Sequence, residues 1–233
     1  MKFPPVETIL QRLGPIQKER VLIQDREFFL FRPSQSDRLL EQPEIRAAQG
    51  TDEYMPYWAD IWPASRMLAK ALLTFPLPEG GRALEIGCGL GLAGIVALSR
   101  GLRVIFSDYD PCALHFAAQN ARLNGFQNFE TLELDWRDPP PGLGAPLLLG
   151  ADLIYELRNV EPLIAFIKQT LAPDGLCLMT DQARLPAHAL RQQLDEAGLV
   201  YTTEIARAGE PGGRRLRGTL YRIRHRRPED GTL

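Results

Sequence analysis

From Arg82 onward, short apolar runs alternate with stretches whose apolar positions recur every three or four residues, and glycine, proline or aspartate marks most of the switches. The runs predict strands over Ala83–Ile86, Leu102–Phe106, Phe129–Leu134, the stretch LLLGADLIY from Leu147 to Tyr155, and Leu176–Thr180. The helical spacing predicts helices over Leu92–Arg100, Pro111–Asn124, Val160–Leu171 and Pro186–Ala197, stopped in turn by Gly101, Gly125, Pro173-Asp174-Gly175 and Gly198. Val200–Ala206 and Gly218–Arg224 have no helix between them and predict an antiparallel hairpin. Regular strand–helix alternation implies an α/β fold, a mostly parallel sheet covered on both faces.

The front section reads differently. Val6–Leu13 is a short helical candidate ended by Gly14-Pro15. RVLI and EFFLF, within Arg20–Phe31, form a hairpin around Gln24-Asp25-Arg26. Ser36–Ala48 carries a helical pattern that Pro43 should break. Residues 1–55 are therefore expected to be an extension packed on the main domain, residues 56–227, with 228–233 a flexible tail. The domain opens on PYWADIWPASRMLAKALL, whose part from Pro63 onward is an amphipathic helix with Met67, Leu68, Ala71 and Leu72 on its apolar face. Trp58 and Trp62 precede it, readable as core packing or as an aromatic lid over a cofactor.

Composition narrows the classes. The chain has 233 residues and a formal net charge of −2, which gives no general attraction to nucleic acid or to a membrane surface. Its three cysteines, Cys88, Cys112 and Cys177, lack metal or redox spacing, as expected of reduced thiols in the cytoplasm. The three histidines stand far apart, so no metal site is expected. No apolar run is long enough to span a bilayer, and the N-terminal residues lack a signal-peptide pattern. Seven arginines between Arg214 and Arg227 read as a solvated hairpin face or as a docking patch.

The chemistry centres on LEIGCGLGLAGI, Leu84 to Ile95: a strand, a glycine turn and a helix start, with backbone N–H groups free to face a ligand. Gly89, Gly91 and Gly94 fit the dinucleotide fingerprint G-x-G-x-x-G. The same stretch also reads E-x-G-x-G-x-G from Glu85 through Gly87 and Gly89 to Gly91. A carboxylate at that point suits a cationic amino group and repels a pyrophosphate, which points to S-adenosylmethionine (SAM). A turn that binds nothing is the plain alternative. In such a sheet ligands sit beyond the carboxyl ends of the strands. Asp108, at the second strand end, can accept both ribose hydroxyls, and Tyr109 can lie along the adenine. Asp135 and Trp136, at the third, can bond the adenine amino group and stack. Ala151, Asp152 and Tyr155, at the fourth, are left to face a substrate.

These motifs resemble the seven-β-strand SAM-dependent methyltransferases, specifically methyltransferase family 16, rich in protein-lysine methyltransferases. The resemblance covers Tyr57 to Leu171 well and the rest in outline. WPASRMLAKAL is similar to the family's tryptophan-led first helix, LEIGCGLGLAGI to its motif I, VIFSD to its ribose strand and ELDW to its adenine strand; the ADLIY of LLLGADLIY matches the family's A-D-x-x-Y. The resemblance implies cofactor contacts from Trp62, from the backbone of Gly87, Cys88 and Gly89, and from Asp108, Trp136 and Ala151, with Asp152 and Tyr155 toward the acceptor. It also implies a Rossmann-like doubly wound seven-stranded sheet in the order 3-2-1-4-5-7-6, last strand antiparallel. PYWADIWP is similar to the branch that methylates the electron-transfer flavoprotein β subunit. The chain lacks N-P-P-Y at strand four, which speaks against the adenine and glutamine amide methyltransferases.

The expected activity is methyl transfer from SAM to an amine nitrogen, with a protein lysine as acceptor and a small-molecule amine as the alternative. Asp152 would hold the incoming ammonium and Tyr155 orient its nitrogen. From other classes, an NAD-dependent oxidoreductase would need a Tyr-x-x-x-Lys or a His–acid pair, neither of which is found, and an inactive SAM-binding module would keep the cofactor residues alone. If Asp152 belonged to the cofactor, the acceptor site would be sought first at Tyr57, Trp58 and the front extension.

Overall fold

The structure, a computed structural model, describes residues 6–41, 55–77, 80–182, 186–209 and 213–230. The predicted alternation forms one seven-stranded sheet. In chain order its strands are β3 (Arg82–Ile86), β4 (Arg103–Asp108), β5 (Phe129–Glu133), β6 (Ala145–Ala151), β7 (Leu171–Asp181), β8 (Leu199–Ala208) and β9 (Leu216–His225), arranged β5-β4-β3-β6-β7-β9-β8. That is the expected 3-2-1-4-5-7-6. β9 runs antiparallel to both β7 and β8, and the pairs among β3 to β7 are parallel.

The central strands are apolar in both parities because both faces are covered. Ala83, Val104, Phe106, Leu147 and Leu149 point into one core with helices α2 (Pro63–Thr74), α3 (Leu92–Ser99) and α4 (Pro111–Leu123). Leu84, Ile86, Ile105 and Leu148 point into the other, with α5 (Val160–Thr170) and α6 (Pro186–Glu196). Each turn onto a helix has its own device: Pro63 and Pro111 open α2 and α4, and the Asp110 carboxylate caps α4 by accepting from the Cys112 N–H at 2.7 Å.

Two strands differ from expectation. β6 stops at Ala151, because the next residue, Asp152, takes a left-handed φ of 58°. β7 starts at Leu171 and carries Pro173-Asp174-Gly175 within it; Leu171 pairs with Ala145 and Leu176 with Leu147, so the turn-forming triplet is absorbed as a bulge.

The N-terminal segment is α1 (Val6–Arg12) and a separate hairpin, β1 (Ile16–Ile23) with β2 (Arg26–Pro33). Val21, Ile23, Phe28 and Leu30 belong to the same core as α2, α3 and α4. The outer edge of β2 is closed by two side chains one turn apart on and just after α4. The Asn120 amide accepts from Phe31 N–H at 2.6 Å and donates to its carbonyl at 3.2 Å; Asn124 does the same for Phe29 at 2.9 and 2.7 Å. Two amides at helical spacing thus stand in for a neighbouring strand. Of the expected helix over Ser36–Ala48, a 3-10 turn forms at Ser36–Glu41, and 42–54 lies outside the described residues, as do 231–233 of the expected tail. Among the described residues no helix is long and apolar enough to cross a membrane.

Candidate active site

The carboxyl ends of β3, β4 and β6 surround one cavity of about 350 Å3. β3 delivers Glu85 and then breaks at Gly87, whose φ of +58° is left-handed; a Cβ there would fall 2.6 Å from Leu153 Cδ2 and 3.3 Å from the Trp136 ring. The turn is tied to β4 by the Cys88 N–H donating to Ser107 O at 2.9 Å and by Ser107 Oγ donating to Glu85 O at 2.7 Å. The Glu85 carboxylate accepts from Gly94 N–H at 3.0 Å, in the first turns of α3. A Cβ on Gly94 would sit 2.4 Å from that carboxylate, so the third glycine of the dinucleotide pattern is needed for helix–strand approach.

Asp108 ends β4 with both oxygens engaged: Oδ2 accepts from Gly89 N–H and Oδ1 from Asp110 N–H, each at 3.0 Å. Burial pushes the Glu85 carboxyl up to about 8, against the pull of the Gly94 N–H, and the nearby Asp108 charge adds to the rise. Burial likewise pushes Asp108 up to about 7, against the Asp110 and Gly89 N–H groups. Two carboxyls held this far from water suit a ligand that brings its own positive charge and hydroxyl donors.

At the other end of the cavity β6 places Ala151 and Asp152. The Asp152 N–H donates to Thr180 O at 2.8 Å, fixing the left-handed residue, and its Oδ2 accepts from Gln182 Nε2 at 2.5 Å. A non-glycine residue held at positive φ stores backbone strain where its side chain must point a given way. Beside it, the Tyr155 ring meets Tyr57 edge-on at 5.0 Å, Tyr57 meets Trp62 at 5.8 Å, and Trp62 Nε1 donates to Tyr57 O at 2.7 Å. Burial raises the Tyr155 phenol, so it stays a neutral donor at ordinary pH. Asp60 and Glu156 also line the cavity. Asp60 is held by the N-terminal segment: Ser36 Oγ donates to it at 3.0 Å, and Arg32 of β2 lies 3.6 Å away. Arg32 is itself paired with Glu19, which buried Arg66 of α2 approaches at 3.4 Å.

Of the residues singled out from sequence, Trp62, Glu85, Gly87, Cys88, Gly89, Asp108, Tyr109, Trp136, Ala151, Asp152 and Tyr155 all line this one cavity. Gly91 and Asp135 are not among its lining residues. Gly91 is the N-cap of α3 at φ +82°, pressed against Ala117 of α4, so its part is to let two helices approach. Asp135 turns onto Arg137, with Oδ2 2.6 Å from the guanidinium; burial pushes its carboxyl up, but the Arg137 bonds outweigh this and hold it below the usual range. Trp58 packs in the core, its ring tilted against Phe116 at 5.2 Å, and it also lines the cavity. Asp60 and Glu156 also line it without having been assigned roles from sequence, and Tyr57, named there only as a fallback acceptor site, lines it too; Tyr57 and Asp60 belong to the aromatic PYWADIWP stretch that carried the signal. Among the described residues no group of three metal-ligating side chains occurs.

Residues 40–196 match the model of the lysine methyltransferases, family 16. The chain belongs to this family. A relative in Xenopus laevis, the electron transfer flavoprotein beta subunit lysine methyltransferase, is 32% identical over 124 residues, covering 52% of this chain and 49% of its own. The histone-arginine methyltransferase METTL23 of Mus musculus is 30% identical over 135 residues, covering 53% and 51%. The chain thus spans about half the length of these curated relatives. The family fold is also that of the N-methyltransferase NodS from Bradyrhizobium japonicum in complex with S-adenosyl-L-homocysteine, at a TM-score of 0.57 and 20% identity over 78% of this chain and 96% of that one.

Proposed function

We propose that this family member is a SAM-dependent N-methyltransferase whose acceptor is a protein lysine. The observation that carries the reading is the cavity itself, which joins two buried carboxyls at adjacent strand ends to a mouth of aromatic rings and carboxylates. When bound, SAM supplies a methyl group on a positively charged sulfur. Glu85 and the glycine turn would take its amino-acid end, Asp108 the ribose hydroxyls, and Trp136 and Tyr109 the adenine. The volume, about 350 Å3, is within the usual range for such ligands.

The chain's own work is positioning and exclusion of water. Asp152, fixed by Gln182, would attract the lysine ammonium and hold it at the mouth of the cavity. The amine needs a free lone pair, so its proton would leave to water or to Asp152 before the C–N bond forms in place of the S–C bond, with S-adenosylhomocysteine as the leaving group. Tyr155 orients the nitrogen through its hydroxyl. The rings of Tyr57 and Trp62 stabilise the cation that the product carries. A small-molecule amine remains the alternative acceptor, and METTL23 makes arginine a further one. Three unpaired, buried cysteines support a reducing compartment and hence the cytoplasm. We take residues 56–227 as the methyltransferase domain and the N-terminal hairpin as a brace on its mouth.

The test is to incubate the protein with radiolabelled SAM and a lysate of its host, separate protein from small molecules, and hydrolyse the labelled protein to amino acids. Methyl-lysine in protein is expected. Label confined to small amines, or recovered as methyl-arginine, would replace the lysine reading; SAM binding without transfer would indicate an inactive binding module.

A further inference from the structure

The arginine-rich hairpin divides into two parts. In the half nearer the sheet's interior the charges are used internally. Arg222 bonds Glu204 at 2.7 Å and lies over the Phe75 ring, Arg224 forks onto Asp230 at 2.6 Å, and Arg227 lies 4.0 Å from Asp174. At the tip this stops. Arg207 of β8 faces Arg217 of β9 directly in the register, an arrangement of like charges that a hairpin ordinarily avoids. Arg214 and Arg215 follow the loop, whose neck is so tight that a Cβ on Gly209 would lie 2.4 Å from the Arg214 carbonyl. All four side chains are exposed, and among the described residues none of them has a hydrogen-bond or ion-pair partner. From Ile205 to Arg217 the sequence has four arginines and one acid, Glu210, within a chain whose net charge is −2. Ile205, 53% exposed, shares a sheet face with Arg207 and Arg217.

The tip also has a defined place. β8 ends and β9 begins at the edge where β7 ends, since Asp181 pairs with Thr219, and this is the edge on which the cavity opens. Ala151, Thr180 and Leu220 lie in one row across β6, β7 and β9. Two strand spacings across and three residues up from Leu220 put Arg217 roughly 14 Å from the end of β6, and Arg207, one strand further out, roughly 18 Å. An extended peptide covers those distances in about four to five residues.

We infer that Arg207, Arg214, Arg215 and Arg217 form the docking surface for an acidic segment of a protein acceptor, with its acidic residues about four to six positions from the modified lysine. The inference rests on the lysine reading and extends it to the partner's surface. Nucleic acid fits less well: Asp60, Asp152 and Glu156 line the cavity that opens on the same sheet edge and would repel phosphates, whereas a lysine flanked by acids satisfies both charges. Ile205 gives such a segment an apolar contact at the same face.

The experiment compares two fluorescein-labelled peptides by anisotropy at low salt, each with a single lysine. One carries glutamates about four to six residues from the lysine, the other glutamines. The whole protein should bind the glutamate peptide about ten-fold more tightly, and R207E/R215E/R217E should lose the preference. Binding of S-adenosylhomocysteine by the variant shows that it is folded; R207Q/R215Q/R217Q repeats the comparison if the reversal fails that control. Equal binding of both peptides by the unmodified protein, a preference that survives the substitutions, or an arginine-dependent preference for polyuridylate over the glutamate peptide would overturn the inference. Methyl transfer to the same peptides keeps the two readings apart. Preference without transfer leaves the docking surface and removes the lysine acceptor; transfer without preference does the reverse.

Discussion

Glu85 and Asp108 are buried carboxyls whose protonated forms the fold favours, and their titration is the most direct residue-scale consequence. Their folded values of about 8 and about 7 lie above the roughly 4 of the unfolded chain. Between those limits the native state holds protons that the unfolded state has lost. Stability should therefore fall as pH rises through this window and level off above about 8, a trend that denaturant midpoints across the range would reveal. A cationic amino group beside Glu85 favours its ionised form, so SAM binding should release a proton and tighten as pH rises toward 8. Calorimetry in buffers of different ionisation enthalpy checks this, and Glu85→Gln should remove most of the effect. Gln182 was not legible in the sequence, because nothing local marks a polar residue after β7 as the partner of a strand end thirty residues earlier. Its role as a positioning residue predicts that Gln182→Ala leaves SAM affinity unchanged. Methyl transfer should fall by about ten- to a hundred-fold, the worth of a hydrogen bond to a charged group. Equal activity of the two proteins at saturating SAM would count against it. By contrast, Asp108 and Asp152 could be found from sequence because a strand end after an apolar run is where a parallel sheet presents its ligands.

Among the elements, the N-terminal hairpin is where sequence said least. RVLI and EFFLF announce two strands, but their attachment to Asn120 and Asn124 spans 89 to 95 residues, and an asparagine one turn from another on a helix reads as an ordinary polar face. The attachment is testable. Asn120→Ala leaves the Phe31 backbone groups and the Leu90 carbonyl, which Asn120 reaches at 3.0 Å, without their partner. Each buried group abandoned this way costs about 1–3 kcal/mol. Thermal unfolding should drop accordingly, with faster amide exchange at Phe31; Asn124→Ala should do the same at Phe29. Unchanged exchange would mean the hairpin is held by its apolar face alone. Since Leu90 lies in the glycine turn, between Gly89 and Gly91, and Arg32 of the hairpin lies near Asp60, loosening this element should also weaken the mouth of the cavity. The bulged start of β7 was hidden for a different reason. Pro173-Asp174-Gly175 is strong turn chemistry, and only pairing of Leu171 with Ala145 of the neighbouring strand overrides it.

At the scale of the whole molecule, strand order gathers the chemistry. Placing β3 between β4 and β6 brings Glu85, Asp108 and Asp152, spread over 67 positions of sequence, to one edge and one cavity. That gathering was readable in outline because strand–helix alternation permits few topologies, and right-handed crossovers leave the strand ends on one side. The aromatic wall was only partly readable, since Tyr57 and Trp62 enter the site from a segment before the first sheet strand. The measurement that bears most directly on the central claim is calorimetric titration of SAM into the whole protein beside its Asp108→Ala variant. One-site binding is expected, weakened in the variant by about 1.5–3 kcal/mol for the loss of a charged acceptor. Binding of NAD with no SAM heat, or SAM affinity untouched by Asp108→Ala, would contradict the assignment of this cavity.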